Sequence, residues 1–402
     1  MTITQFASAI DWTVVKGGAG DFETIQEAIA AASDGDVINV LPGIYVSTSE
    51  NVVDTLGKAI TLQSTEGAEK TFIDGQHVRR GIICQTGETM ATLIEGFTIT
   101  NCNAPDPVYS PARGGGILCV NSAPRFEDCI ISNNTAPVYT SEFGTLPGYG
   151  GGIAVIDYAD ITLNNCLIMG NTADVLNGET EQSKGGGVYA AIYSKVTITN
   201  CEITYNTAST GGGLCLDGIN NYPSMSIIDH TYIANNEAVH SQGKGGGGLM
   251  CYSNALDLIS HCTIEYNTAT RGGGIRCHTK GAEPTIARCF IEHNTATETL
   301  AAGGLQSDGG TKIGAMPVLE DNTFCENIHV ATWGNYVDAG GNIFNESCCN
   351  SDVNGDGYIG VDDILVLVSL WESDDAQADI NNDGIVGTDD LLQLIADWGP
   401  CL

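Results

Sequence analysis

Residues 185–208 read GGGVYAAIYSKVTITNCEITYNTA, and the features of this stretch recur along the middle of the chain. A run of glycines precedes an aliphatic residue, a segment of alternating apolar and polar residues follows, and an Asn-Thr-Ala motif closes the unit. The unit repeats at intervals of roughly 26 to 36 residues, a period typical of solenoid proteins. The aliphatic residues that follow the glycines are Ile117, Ile153, Val188, Leu214, Leu249, Ile275 and Leu305.

The Asn-Thr-Ala motif marks a second repeated position. It stands at 134–136, 171–173, 206–208, 267–269 and 294–296, with Asn-Glu-Ala at 236–238. The residue five places before each Asn is a cysteine, or threonine in one copy, and an isoleucine follows two places later. These residues are Cys129, Cys166, Cys201, Thr231, Cys262 and Cys289, with Ile131, Ile168, Ile203, Ile233, Ile264 and Ile291.

The intervening segments predict short strands, because they alternate with a period of two and are rich in Ile, Thr and Val. A unit of this length cannot bury its own apolar face, but stacked copies can. We therefore predict an all-β fold, a right-handed parallel β-helix (solenoid), with its repeats in residues 81–346. Equivalent side chains would stack about 4.8 Å apart. The motif asparagines are expected at tight bends with left-handed backbone, and the cysteines as small buried side chains, with metal binding as the alternative.

Residues 1–80 are expected to form the N-terminal cap and the first rungs of this β-helix. Thr24 and Glu27 have the spacing of a capping box, and apolar residues follow at helical intervals. A short capping helix is therefore expected to cover the open end of the coil. The stretch at 20–46, GDFETIQEAIAAASDGDVINVLPGIYV, resembles the start of the pectin-lyase-like superfamily. The later units resemble the repeats of polymorphic outer-membrane proteins. Both resemblances imply the fold and say little about activity.

Residues 347–402 contain two acidic loops, DVNGDGYIGVDD at 352–363 and DINNDGIVGTDD at 379–390. Oxygen ligands at loop positions 1, 3, 5 and 12, a glycine at position 6 and a backbone carbonyl at position 7 suit Ca²⁺. We expect two Ca²⁺ sites. Their ligands would be Asp352, Asn354, Asp356, Tyr358 and Asp363 in the first loop, and Asp379, Asn381, Asp383, Ile385 and Asp390 in the second.

The aspartate at position 12 and the single apolar helical run after each loop resemble a dockerin, an α-helical EF-hand-like module that docks onto cohesin domains. The resemblance implies calcium binding and a cohesin-like partner. Positions 10 and 11 are Val361-Asp362 and Thr388-Asp389, and not the small hydroxyl pair that is common in dockerins. The chain has no Lys or Arg from residue 313 onward, so metal binding is expected to couple to folding. A disulfide from Cys401 to Cys348 or Cys349 is a further hypothesis.

The segments between each Asn-Thr-Ala motif and the next glycines vary in length and leave the same corner of the coil. A basic residue precedes the glycines in several rungs, and tyrosines lie in or next to the long segments. Stacking would align these cations along one edge, which suits an acidic polysaccharide; the alternative is that they only balance nearby carboxylates. The candidate ligand-binding residues are Arg113, Lys184, Lys244, Arg271, Tyr109, Tyr139 and Tyr149.

A second polar group falls in adjacent rungs, and strand alternation is expected to place several of its members on one outer face. These residues are His261, Glu265, Arg276, His278, Glu292 and His293. No catalytic residue can be assigned from family motifs, since the GHG and RIK motifs of polygalacturonases and the DPHE motif of alginate epimerases are absent.

Charge and hydropathy exclude some classes of function. The formal net charge is −34, from 49 acidic and 15 basic residues, and such a field repels nucleic acids and anionic membrane surfaces. No apolar run is long enough to span a membrane. We expect an extracellular or cell-surface protein that interacts with polysaccharide, either as a lyase or as a glycoside hydrolase, although no signal peptide is visible. The alternatives are a non-catalytic adhesin or structural protein, and a calcium-dependent assembly protein without a glycan ligand.

Overall fold

The computed structural model describes residues 9–105, 111–141, 144–174, 183–191, 193–218, 223–239, 245–279, 281–299, 301–308, 314–345, 351–354, 358–373, 375, 378–381 and 384–400. Three long parallel sheets run through the first part of the chain, and each turn of the chain adds one strand to each sheet in order.

The first sheet contains the strands Asp11–Val14, Val37–Val40, Thr61–Ser64, Leu93–Glu95, Arg125–Glu127, Asp160–Asn164, Lys195–Thr199, Ile227–Asp229, Leu258–Ser260, Thr285–Ala287, Val318–Glu320 and Val337–Gly340. The second sheet contains Asn51–Asp54, Arg80–Cys84, Ile117–Val120, Ile153–Ile156, Val188–Ala191, Leu214–Asp217, Leu249–Tyr252, Ile275–His278, Leu305–Ser307 and Thr332–Trp333. The third sheet contains Gly43–Tyr45, Thr71–Asp74, Thr98–Thr100, Ile130–Ser132, Leu167–Met169, Glu202–Thr204, Tyr232–Ala234, Thr263–Glu265, Phe290–Glu292, Thr323–Cys325 and Ile343–Phe344.

The sheet registers confirm the repeat that the sequence predicts. The seven aliphatic residues after the glycines pair with one another in consecutive rungs of the second sheet. The isoleucines at the second repeated position pair in the same way in the third sheet. All of these side chains are fully buried. Successive turns therefore stack equivalent aliphatic residues into one continuous apolar interior, and this is what a single 26-residue unit could not achieve.

The motif residues after each Asn form a fourth, short parallel sheet of Thr135–Ala136, Thr172–Ala173, Thr207–Ala208, Glu237–Ala238, Thr268–Ala269 and Thr295–Ala296. The Asn side chains are buried and bond along the coil axis. The side-chain oxygen of Asn206 accepts hydrogen bonds from the backbone N–H and the side-chain amide of Asn171, at 2.9 and 3.0 Å. The side-chain amide of Asn206 donates to Asn236 at 3.0 Å and to the carbonyl of Ile168 at 2.9 Å. The same pattern links Asn134, Asn171, Asn206, Asn236, Asn267, Asn294 and Asn327.

The expectation that these asparagines have left-handed backbone is wrong. Positive φ occurs one residue earlier in each rung. The bend therefore falls on the preceding residue, because the Asn itself must direct its side chain inward to reach the next rung. The left-handed residues are Asn133, Gly170, Tyr205, Asn235, Tyr266 and His293.

Buried thiols occur at the corner between the first and third sheets, on both sides of the second sheet and, as Cys102, after a strand of the third sheet. Within the described part of the chain, these cysteines are free and buried: Cys84, Cys102, Cys119, Cys129, Cys166, Cys201, Cys215, Cys251, Cys262, Cys277 and Cys289. Burial raises the pKa of the Cys102 thiol to about 12. Cys325 is disulfide-bonded. The hypothetical disulfide of Cys401 lies outside the described residues, as do Cys348 and Cys349.

Helix α1, Ile25–Ala31, forms with the predicted capping box. The Thr24 hydroxyl accepts a hydrogen bond from the Glu27 backbone N–H at 3.2 Å, and the Glu27 carboxylate accepts from the Thr24 N–H at 3.2 Å. The buried side of the helix contains Ile25, Ala28 and Ile29. These side chains join the apolar interior of the coil. The role of the helix as a cap over the open end stays a prediction.

Two further strand pairs precede strands of the second sheet along the chain. Ala112–Arg113 pairs with Gly148–Tyr149 in parallel, and Tyr139–Ser141 pairs with Gly144–Leu146 as an antiparallel hairpin. Both come from the variable segments that precede the glycine runs, and Tyr149 of the first pair packs against Tyr189 of the second sheet.

The chain divides into two compact units between Ile343 and Phe344; the predicted domain boundaries after residues 80 and 346 stay predictions. The second unit has helices α2, Val361–Ser369, and α3, Thr388–Ala396, and an antiparallel pair of Tyr358–Ile359 with Gly399–Pro400. Its buried residues occur in pairs at the same offset of 27 as the two loops, namely Val353 with Ile380, Ile359 with Val386, and Leu367 with Leu394. In the described parts of both units, no helix is long and apolar enough to cross a membrane.

Candidate functional site

The predicted cationic edge is only partly assembled. Arg113 pairs with Tyr149 in the next rung, and bridges continue the same register from Tyr149 to Lys184 and from Lys184 to Thr210. The two cations in this register are therefore separated by a tyrosine, and a threonine follows them. Lys244 and Tyr109 lie outside the described residues. Tyr139 lies in the hairpin and is half-buried.

Lys184 is held inside the protein and is not a free cation on an edge. Its ammonium group lies 2.6 Å from the carboxylate of Asp217 and 4.5 Å from the centre of the Tyr252 ring. Burial favours the neutral amine, but the nearby Asp217 carboxylate outweighs it and raises the pKa of Lys184 above its ordinary value. The carboxylate that balances Lys184 thus comes from the second sheet.

The outward side of the second sheet carries two columns of side chains. Strand register places the residues of each column in consecutive rungs. The first column is apolar along its early rungs and becomes polar at Arg276. It contains Leu118, Ala154, Tyr189, Cys215, Met250, Arg276, Gln306 and Trp333. The second column contains Val120, Ile156, Ala191, Asp217, Tyr252 and His278.

The early rungs of this face are an apolar floor. Leu118, Ala154, Tyr189, Cys215 and Met250 are buried and form a hydrophobic cluster separate from the interior of the coil. The ring of Tyr149 lies 4.9 Å from that of Tyr189, so Tyr149, one of the predicted ligand-binding residues, packs against the floor. The outward face of the second sheet is therefore covered along these rungs, and it opens where the columns become polar.

A cavity of about 420 Å³ lies at the polar end of this face, within the size range of small-molecule sites. It is lined by Arg271, Arg276, His278, Gln306, Ser307, Asp308, Trp333, Gly334 and Asn335. Residues from successive rungs converge here because Arg276 pairs with Gln306, and Gln306 pairs with Trp333. Trp333 remains 46% exposed and offers an aromatic face to a ligand in the cavity.

Asp308 connects the charged residues of the cavity. Its carboxylate accepts hydrogen bonds from the guanidinium of Arg276, at 2.7 Å from Nη2 and 3.2 Å from Nε, and it also contacts Nδ1 of His278. Arg276 is only 2% exposed. Burial alone would raise the pKa of Asp308, but the hydrogen bond with His278 and the charge of Arg276 lower it below its ordinary value. Asp308 is therefore an anion that orients the imidazole of His278.

This arrangement has the parts of an acid–base site. An imidazole fixed through Nδ1 by a carboxylate can present Nε2 to a substrate. For the described residues, the hydrogen bonds of His278 are confined to its Nδ1 contact with Asp308. The predicted residue Arg271 also lines the cavity, and its side chain is paired with Glu298 at 2.5 Å. The cavity thus combines a fixed imidazole, an aromatic face and a partly exposed cation.

The second polar group of the sequence does not gather on one face. Arg276 and His278 lie on the second sheet, Glu265 and Glu292 on the third, and His261 at the corner after the first. Sequence reasoning missed Asp308 and Trp333, which lie in rungs where the glycine run is shortened or missing. A usable signal was present in the strand Ile275–His278, because its alternation places Arg276 and His278 on the same side.

In the second unit, the described loop residues surround two buried carboxylates. The carboxylate of Asp363 accepts hydrogen bonds from the backbone N–H of Asn354 at 3.0 Å and of Gly360 at 2.8 Å. The carboxylate of Asp390 accepts the equivalent bonds from Asn381 and Gly387, at 3.0 and 2.7 Å. Both aspartates are fully buried. Each carboxylate closes its loop by joining position 3 to position 9, while Asp356 and Asp383 lie outside the described residues.

Comparisons with known proteins bear on the fold. A family profile described as "Right handed beta helix region" matches residues 175–348. Among solved structures, the pectate lyase Pel9A aligns with a TM-score of 0.53 and 12% identity, covering 90% of this chain and 85% of its own. A pectin methylesterase from carrot has a TM-score of 0.41 and 14% identity, covering 84% and 90%. An alginate lyase from a Paenibacillus species has a TM-score of 0.40 and 12% identity, covering 84% and 98%. No curated protein matches the chain.

At 12% identity, the likeness to Pel9A concerns the fold alone. It agrees with the profile match and with the three parallel sheets whose register follows the sequence repeat. The first unit of this chain is a right-handed parallel β-helix.

Proposed function

We propose that the β-helix binds an acidic polysaccharide and cleaves it by elimination in the cavity at Arg276, His278 and Asp308. The observation that carries this proposal is the convergence of a carboxylate-oriented imidazole, an exposed tryptophan and a partly exposed arginine in one cavity. Further support comes from Pel9A, which shares the fold and is itself a pectate lyase.

Each part of the cavity has a role in such a reaction. Arg271 would pair with the uronate carboxylate, which makes the proton on the adjacent carbon more acidic. Nε2 of His278 would accept that proton. A carbon–carbon double bond would form, the bond to the leaving glycosidic oxygen would break, and this oxygen would take a proton from solvent. Trp333 would stack on a sugar face.

Elimination suits the cavity better than hydrolysis. Glycoside hydrolysis ordinarily needs two carboxylates on either side of the scissile bond. Of the described residues that line the cavity, Asp308 is the one carboxylate, and it is already engaged by Arg276 and His278.

The test is turnover of a panel of acidic and neutral polysaccharides by the full chain, with and without Ca²⁺, reading unsaturated products and new reducing ends. We expect unsaturated products from an acidic member. His278→Gln should lower the rate by about 10² to 10⁴-fold, the usual contribution of a general base. His77→Gln, at an exposed turn, is the matched control and should leave the rate unchanged. Reducing ends without unsaturation, or an unchanged rate in the His278 variant, would refute the elimination.

Binding without turnover is the second candidate, and a specific observation favours it. Lys184 and Arg276 are both neutralised by carboxylates of the protein, so they offer little free charge to an anionic transition state. In that case the panel would give no product, the chain would still be retained on an acidic polysaccharide, and Trp333→Ala would weaken the retention. This is how an adhesin would behave.

We propose that the second unit is a dockerin-like module with two Ca²⁺ sites. The ligand sets are the ten residues given above for the two loops, with Tyr358 and Ile385 contributing backbone carbonyls. The buried carboxylates of Asp363 and Asp390 support the proposal, because the sequence offers no Lys or Arg after residue 312 to compensate them. Such oxygen-rich loops suit a hard cation. Bound Ca²⁺ would neutralise these carboxylates and stabilise the fold of the unit.

Calcium calorimetry on the full chain tests the module. We expect two sites, with one lost in Asp363→Asn and the other in Asp390→Asn. The exposed neighbours offer matched controls, since Asp362→Asn and Asp389→Asn remove the same charge without removing a ligand. Equal binding by the ligand and control variants would refute the assignment.

Docking is the expected role of this module. Helices α2 and α3 leave equivalent pairs of large apolar side chains exposed, Leu365 and Val368 on the first and Leu392 and Ile395 on the second, and α2 also exposes Val361 in its first turn. These pairs again differ by 27 positions, so each helix presents an equivalent surface. We propose that this surface binds a cohesin-like domain and holds the protein outside the cell. Titration with purified cohesin domains should give Ca²⁺-dependent binding that Leu365→Asp and Leu392→Asp together abolish; no binding by the unmodified chain would refute it.

A further inference from the structure

A pair of stacked imidazoles lies at the corner between the first and third sheets, away from the cavity residues. His230 and His261 directly follow the paired strand residues Asp229 and Ser260, so they occupy the same position in consecutive rungs. Their rings are stacked with centroids 4.7 Å apart and planes 18° apart. The spacing of the coil thus holds two metal-binding side chains side by side.

The carboxylate of Asp229 completes a three-residue cluster. Its two oxygens contact Nδ1 of His230 at 2.8 Å and Nδ1 of His261 at 2.9 Å. A further hydrogen bond from the Ser260 hydroxyl, at 2.7 Å, fixes the carboxylate. One potential ligand atom from each of these three residues lies within 4.8 Å of the others. All three side chains are at least partly exposed, so an ion can reach them from solvent.

We propose that Asp229, His230 and His261 form a surface site for a divalent transition metal of the zinc class. Two imidazole nitrogens and one carboxylate oxygen are a ligand set that such ions prefer, whereas Ca²⁺ and Mg²⁺ prefer oxygen alone. Ligand atoms of a tetrahedral zinc site lie roughly 3.3 Å apart, given bonds of about 2.0–2.1 Å. Exposed side chains can make this small adjustment from the present separations, and the fourth position would hold water or a ligand group.

The backbone at this corner has the same conformation in neighbouring rungs. The equivalent positions in the two preceding rungs are Asn165 and Asn200, and all four residues have left-handed backbone, with φ between 47° and 53°. Asparagine and histidine both occur more often than most residues with left-handed backbone, so this corner accepts either side chain. The next rung has Arg288, whose guanidinium lies 3.6–3.8 Å from Asp321 and Glu320, so its charge is directed to its own carboxylates.

The neighbouring rungs also supply the substitutions for a test. His230→Asn and His261→Asn reproduce the residue that this corner already carries at 165 and 200, so the double variant is expected to fold. His293→Asn is the matched control, because His293 also has left-handed backbone and also contacts a carboxylate, Glu326, at 2.9 Å.

The experiment is Zn²⁺ calorimetry on the full chain with excess Ca²⁺ present to fill the oxygen-rich loops, together with Co²⁺ absorption. We expect one Zn²⁺ equivalent that is lost in the double variant, that binds at least 10-fold more weakly in each single variant, and that is unchanged in the His293 variant. Co²⁺ should give the visible bands of a four- or five-coordinate site in the unmodified chain and in the His293 variant, and these bands should be lost in the double variant. Equal Zn²⁺ stoichiometry in the unmodified chain and the double variant would overturn the proposal. The outcome does not depend on the polysaccharide activity.

Discussion

Replacing Asn206 by alanine should destabilise the β-helix more than any single exposed contact does. Asn206 is fully buried and takes part in four side-chain hydrogen bonds, two accepted from Asn171 and two donated, to Asn236 and to Ile168. A net contribution of about 1 kcal/mol for each bond gives a loss of about 4 kcal/mol. Part of this loss arises because the buried N–H of Asn171 loses its acceptor.

The matched control is Asn200→Ala, in the same rung. Asn200 is exposed, has left-handed backbone, and its side chain donates one hydrogen bond, to Asn164 at 3.1 Å. We expect a loss of about 1 kcal/mol there, from that bond and from the poorer fit of alanine to left-handed backbone.

The measurement is urea unfolding of the full chain at a fixed Ca²⁺ concentration, with native-state hydrogen exchange to locate the change. Exchange should accelerate first in the rungs that contain Asn171 and Asn236, because each rung of a solenoid depends on its neighbours. Equal losses of stability in the two variants would refute the reasoning, because the buried hydrogen bonds between the stacked asparagines would then add nothing to the free energy of unfolding.

Other predictions concern single groups. Burial raises the pKa of Asp257 to about 6 from its ordinary 3.8, so its contribution to folding stability is present below pH 3.8 and is lost as pH rises through 6. Asp257→Asn should therefore gain about 3 kcal/mol of unfolding free energy relative to the unmodified chain between pH 4 and pH 8, and parallel pH profiles in urea unfolding would contradict this. The buried thiols, Cys102 among them, should react with iodoacetamide only after unfolding, as mass mapping can check; rapid labelling of the native chain would oppose it. Glu298→Gln frees the Arg271 guanidinium and should tighten binding of an acidic oligosaccharide by up to about fivefold, the equivalent of about 1 kcal/mol. Calorimetry measures this, and weaker binding would mean that Glu298 itself contacts the ligand.

The sequence was sufficient for the register of the coil, because the inward residues repeat with almost the same chemistry in each rung. The aliphatic residue after each glycine run and the isoleucine after each cysteine position are examples, and their pairing follows directly. The sequence did not reveal which residue of each bend has left-handed backbone. An asparagine can occupy a bend, or it can form hydrogen bonds with equivalent asparagines in the neighbouring rungs. The hydrogen bonds of Asn134 and its equivalents show that the second role applies here.

The cavity was harder to foresee, because it depends on residues that do not repeat. Strand alternation places Arg276 and His278 on one side, but Asp308 lies just after a strand and Trp333 lies in a rung without a glycine run. Among the described residues, the cationic edge is only partly assembled for a related reason. A repeated position before the glycines fixes the backbone of Lys184, but its long side chain is free to turn towards Asp217 and become buried.

The corner that leads from the fourth sheet into the second has a consequence for how this protein can diversify. The segments 209–210 and 270–271 cross this corner with two residues, whereas 137–149 uses a long excursion that includes a hairpin. Ile153 nevertheless pairs with Ile117 and Val188 in the same register. Chain length can therefore be gained or lost here without shifting a single stacked side chain. Evolution or protein design can therefore change the segments before the glycine runs one rung at a time. New binding specificities can arise in this way while the register of the β-helix stays the same.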